Sequence, residues 1–188
     1  MSGIIGLRGE EVREMGRASI KADKTIYQQT RERLGLTREA AADLLDGMSA
    51  DRIEKIENGR TQLRPEDVLI MAEGYKTPAL KNYYCANDCP IGRKRVTQVT
   101  LSELPEIVLQ MLASLTALQK KRDVLIEITG DGQIQDNEIP DFLEIQEELG
   151  HMAMTVEALQ LWSEQMLAED KINLNLYEQY KKKREDQR

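Results

Sequence analysis

Residues 36–60 read LTREAAADLLDGMSADRIEKIENGR. Thr37 has the form of a helix cap, and Arg38, Glu39 and three alanines follow it as good helix formers. Gly47 then supplies a sharp turn. Ser49 is a second cap, and Asp51 suits the positive end of the helix that begins there. Ile53 and Ile56, three apart, face inward together. Gly59 stops this helix as a C′ glycine does.

Two short helices joined by a tight glycine turn describe a helix-turn-helix, whose second helix can enter a DNA major groove. Thr37, Glu39, Ala42, Leu45, Gly47, Ser49, Ile53, Ile56, Glu57, Asn58 and Gly59 occur in an order that resembles the phage-repressor-like (Cro-like, or XRE) family, over residues 24–84. The resemblance implies an all-α, five-helix, lambda-repressor-like domain. It also implies a repressor-like transcriptional regulator of bacterial or mobile-element origin, with double-stranded DNA as partner.

Site residues follow from the same resemblance. Arg31 and Glu57 stand where the family pairs helix one with the recognition helix. Arg38 stands where the family touches phosphate, and the helix start there also favours an anion. Ser49, Ala50, Asp51 and Lys55 stand at positions facing base edges. Lys55 can donate to guanine O6 and N7, and Asp51 can accept from cytosine N4. Arg52 serves phosphate or base, and Asn58, Arg60 and Arg64 follow the recognition helix and can hold the backbone. The chain departs from the family in three ways. Asp46 adds a residue before the turn glycine, the segment before Pro65 is longer by about one residue, and Asp51 and Glu54 repel phosphate.

Outward from this stretch, helix one is expected over 24–34. Pro65 and Pro78 open a fourth and a fifth helix. Cys85 and Cys89 are four apart, but a structural zinc site needs four ligands, and the one histidine, His151, is distant. They read as free thiols, with no metal and no cofactor. Arg93, Lys94 and Arg95 begin a linker over 93–99. Residues 1–20 form a polar arm without an assigned role, and residues 21–92 form the helix-turn-helix domain.

The net charge of −7 is unevenly spread. Residues 20–95 carry fourteen Lys or Arg against twelve Asp or Glu, and residues 96–188 carry nine against eighteen. The first part is therefore the one suited to nucleic acid. No segment reaches the ~18 apolar residues of a membrane span, and MSGIIGLRGEEVREM has no signal-peptide core, so a cytoplasmic protein is expected.

Residues 100–188 read as a long antiparallel helical hairpin and a C-terminal helix. Thr100 and Glu103 suggest a capping box. Leu101, Val108 and Leu115, with Leu104, Met111, Leu118 and Leu125, keep a heptad that Arg122 interrupts. Phe142, Leu149 and Val156, with Ile145, Met152, Leu159 and Met166, keep another. Trp162 falls off this seam, so the apolar stripe is wider than two helices need. A homodimer is expected. In the turn, Asp131, Gly132, Ile134 and Glu138 resemble half of an EF-hand loop, but Glu127 and Thr129 depart from it, and a plain turn is preferred. No catalytic constellation appears, so the chain is read as non-enzymatic. A protein-interaction module using the hairpin as its surface is the alternative to a DNA-binding regulator.

Overall fold

The computed structural model describes residues 24–128 and 134–187. The expected arm, residues 1–20, lies outside the described residues, as do residues 129–133 at the centre of the calcium-loop-like spacing. Among the described residues the chain is all-helical. It contains α1 (Ile26–Arg33), α2 (Arg38–Leu44), α3 (Ala50–Glu57), α4 (Pro65–Gly74), α5 (Ala79–Asn87), α6 (Leu104–Lys120), α7 (Arg122–Ile128), α8 (Ile139–Ala168) and α9 (Leu174–Glu185). A short 3-10 turn, Gly92–Lys94, follows α5. None of these helices is long and apolar enough to cross a membrane.

The chain divides into two compact units, Met1–Tyr75 and Lys76–Arg188. In the first, side-chain caps fix three of the four helix starts. Thr25 accepts from the Gln28 N–H, Thr37 from Ala40 and Ser49 from Arg52. Pro65 takes the first position of α4, where its missing N–H is not needed. Ala41, Leu45, Ile53, Val68 and Met71 are almost fully buried in this unit. Burying a side chain of this kind contributes about 1.5–3 kcal/mol for the larger ones.

The second unit contains α5 to α9. Thr100 does not cap α6. The helix starts four residues later, with Glu103 as its N-cap. Pro105 is the reason. A helix begun at Leu101 would put Pro105 where an N–H must bond back to the first turn, whereas a start at Leu104 places the proline among the donors that have no partner anyway. The break between α6 and α7 falls at Lys121, one residue before Arg122.

The α6–α8 contact does not follow the strict heptads either. Ile107 and Ser114 are buried on α6, and Ile145 and Thr155 on α8. Val108, Leu115, Leu149 and Val156 are exposed. Apolar residues wrap so far around α6 that periodicity alone cannot say which edge meets the partner. Small residues at Ser114 and Thr155 also belong to the buried set, and the Thr155 hydroxyl satisfies itself by donating to the Met152 carbonyl at 2.8 Å.

α8 changes partner along its 30 residues. Near its start, Lys121 after α6 reaches Asp141 and Glu144. Near its end the contacts go to α5 and the residues before it. Asn82 Nδ2 donates to Glu157 at 3.3 Å, Lys81 Nζ to Glu164 at 2.5 Å, and Gln165 Nε2 to the Lys76 carbonyl at 3.2 Å. His151 lies exposed beside Glu148. Cys85 and Cys89 are free thiols.

Candidate nucleic-acid interface

The site is built on α2, α3 and the loop after α3. Gly47 lies at φ +77° in the turn between the two helices, a left-handed conformation that any Cβ would strain. Gly59 lies at φ +63° after α3. Its N–H bonds the Ile56 carbonyl at 3.0 Å, and the Arg60 N–H bonds the Lys55 carbonyl at 2.8 Å. These two bonds close a Schellman motif and turn the chain sharply away from α3. Asn58, at the C-cap, donates from Nδ2 to the Glu54 carbonyl at 2.9 Å.

Behind α3 sits an ionic centre. Glu57 is fully buried, and its carboxylate accepts three guanidinium bonds. Arg31 donates from Nε at 2.5 Å and from Nη2 at 2.9 Å, and Arg38 donates from Nε at 2.9 Å. Arg31 also donates to the Leu36 carbonyl at 2.6 Å. Burial pushes the Arg31 pKa down, but the hydrogen bonds and charge of Glu57 more than reverse this and hold it above its ordinary value. The structure thus brings Arg31, Arg38 and Glu57 together, so that α1, the N-terminus of α2 and the end of α3 share one carboxylate. Arg38 remains partly exposed.

A second carboxylate organises the other flank. Asp67, buried in the first turn of α4, accepts from Arg52 Nη2 at 2.5 Å, from Arg64 Nη2 at 3.2 Å and from the Arg64 backbone N–H at 3.0 Å. Arg52 further reaches Thr61 Oγ1 at 2.7 Å and the Gln62 carbonyl at 3.1 Å. Burial raises the Asp67 pKa, but the bonds from Arg52 and Arg64 outweigh it and bring it down to about 2. Asp67 was not among the residues singled out from sequence. Its signal was present: it stands at the third position of a helix opened by Pro65, where a carboxylate reaches back to the N-cap N–H.

The outward side of α3 carries Asp51 and Lys55, joined at 2.7 Å, and both are well exposed. Ser49 is exposed at the helix start with its hydroxyl engaged in the cap, and Ala50 is half-buried beside it. Glu54 and Arg60 form a looser exposed pair at 3.8 Å. The candidate residues therefore fall into two groups. Arg31, Arg38, Arg52 and Glu57 hold helices together, while Asp51, Lys55 and Arg60 stand in solvent, with Arg64 largely exposed but leaning on Asp67. Among the described residues, no group of three or more His, Cys, Asp or Glu side chains could hold a metal ion.

Residues 28–80 match the helix-turn-helix domain family, from within α1 into the start of α5. This part of the chain is a helix-turn-helix domain, consistent with the phage-repressor-like resemblance, and such domains are coarsely those of DNA-binding regulators. No match was found among curated proteins or among solved structures.

Proposed function

We propose that the chain is a sequence-specific, repressor-like DNA-binding transcriptional regulator of the XRE kind, acting in the cytoplasm as a homodimer held by residues 100–188. The observation that carries this reading is the presentation of α3. Ile53 and Ile56 are buried, Ser49 and Gly59 fix its two ends, and Asp51 and Lys55 stand on the open side. A short helix so presented fits a major groove, with phosphate contacts from the segments flanking it. Lys55 exchanges Asp51 for a guanine edge, and Asp51 is released to accept from a cytosine amine. Arg38, Asn58, Arg60 and Arg64 supply phosphate contacts, with Arg52 at the junction. Exposed apolar residues on α6 and α8 support a second copy as the dimer partner, which would set two half-sites a fixed distance apart.

One observation favours a second reading. Lys55, Arg60, Arg52 and Arg64 each have a carboxylate partner within the unit, so the face around α3 carries little uncompensated positive charge. Under that reading the domain does not bind DNA, and the C-terminal helical hairpin is the main protein-interaction surface. Fluorescence anisotropy of the full chain against a pool of genomic duplex fragments separates the two. Enrichment of one sequence class, with affinity falling linearly in log salt, supports the regulator. A folded chain that binds no duplex at low salt replaces it with the interaction module.

A further inference from the structure

α9 is a helix with no inside: none of its residues, Leu174–Glu185, is buried. Leu176, Tyr177 and Tyr180 form a stripe at helical spacing and stand 48, 40 and 58 % exposed. Asn173 caps the helix by accepting from the Leu176 N–H at 3.1 Å, and Lys183 lies 5.4 Å over the Tyr180 ring. Such local effects contribute about 1 kcal/mol each. Isolated helices shorter than ~12–15 residues are marginal in water, so α9 needs a cover for its stripe.

A surface of matching character lies on the same unit. Val108, Leu112 and Leu115 share one face of α6, and Leu149 and Val156 one face of α8, all of them exposed. α8 carries six carboxylates and neither lysine nor arginine, and Lys81 and Lys121 from neighbouring segments offset only part of that charge. α9 carries four cations against two carboxylates. An apolar stripe on a basic helix and an apolar face beside an acidic helix complement each other in both shape class and charge. Each copy of the chain presents both halves. Two copies can therefore close on each other with the contact formed twice, leaving neither half bare.

We infer that α9 of each chain docks, through Leu176, Tyr177 and Tyr180, on the α6–α8 apolar face of a second copy. The inference rests on the homodimer reading above and names the element that is exchanged. It makes α9 the clasp of the dimer and the α6–α8 face its receptor.

Sedimentation of full chains tests it with two complementary variants. The unaltered chain is expected to dimerise at micromolar concentration. Tyr177→Glu with Tyr180→Glu, and separately Leu149→Lys with Val156→Lys, should each weaken the dimer at least about tenfold. All four side chains are exposed, so the folded chains should keep their helical dichroism. Mixed in equal amounts, the two variants should form a heterodimer tighter than either homodimer, because one contact becomes acidic against basic and the other is unaltered. A mixture no tighter than its parents overturns the inference, whether α9 packs in its own chain or nowhere. So does a glutamate variant that dimerises as well as the unaltered chain, which would leave the homodimer standing on another surface. A monomeric unaltered chain overturns both the exchange and the homodimer. Half-site duplex binding by the glutamate variant remains the separate measure of DNA recognition.

Discussion

Glu57 and Asp51 are carboxylates on the same helix, six residues apart, and they live under opposite rules. Glu57 is sealed from solvent and accepts three bonds from two arginines. Asp51 stands about 70 % exposed against a single lysine. Paired charge in solvent is worth at most about 1 kcal/mol and dissolves readily. Paired charge in the interior cannot be half-removed, because the survivor is left charged and unsolvated. One helix can therefore be anchored on one side and exchangeable on the other. A recognition helix needs that combination: a backbone that stays put beneath side chains that can change partners.

The comparison breaks first at its buried end. Arg31→Ala leaves Glu57 buried with only Arg38, and about 3–5 kcal/mol of stability should be lost in urea unfolding. A loss below that of a surface pair would mean that water replaces the arginine. The other buried carboxylate gives a pH signature. With its folded pKa lowered from 3.8 to about 2, Asp67 contributes stability that is fully present above its unfolded value and lost as pH falls through the folded one. Unfolding midpoints should fall between about pH 4 and pH 2, and Asp67→Asn should flatten that acid limb while costing about 1–3 kcal/mol at neutral pH.

Lys55→Ala belongs to the exposed side. It should change stability by less than about 0.5 kcal/mol, yet weaken cognate duplex binding by about 1–3 kcal/mol and relax preference at one base pair. Arg38 sits at the boundary and should read out both ways. Arg38→Ala should lower stability through Glu57, and its salt dependence of binding should fall by about one unit whatever the sequence. The smallest and sharpest case is Asp51→Ala. If Asp51 reads a cytosine, specific binding should weaken while non-specific binding strengthens. If it only repels phosphate, both should strengthen together in the same anisotropy titration.

Local signals made the helix-turn-helix legible. Thr37, Ser49, Gly47 and Gly59 act through bonds and dihedrals that span four or five residues, and the structure uses each of them at its expected place. What the arginines touch was harder to read. A guanidinium that braces a helix and one that grips a phosphate are the same group on the same long stem. What Arg52 touches depends on Asp67, fifteen residues away. In the second unit the period of the apolar pattern was readable, but its phase was not. α6 is apolar around most of its girth, small polar residues enter the contact with α8, and α8 exchanges α6 for α5 partway along. At Thr100 the local cap signal loses to Pro105, which sits in the first turn only when α6 starts at Leu104.

The late attachment of α5 to α8 has a consequence for how the chain comes into being. The bonds from Lys76, Lys81 and Asn82 close on Asp170, Glu164 and Glu157, spans of 94, 83 and 75 residues. At a synthesis rate of roughly 5–20 residues per second, on the order of 4–20 s separate the emergence of α5 from that of its partner. During translation α5 thus emerges well before α8, its partner in the folded chain, has been made.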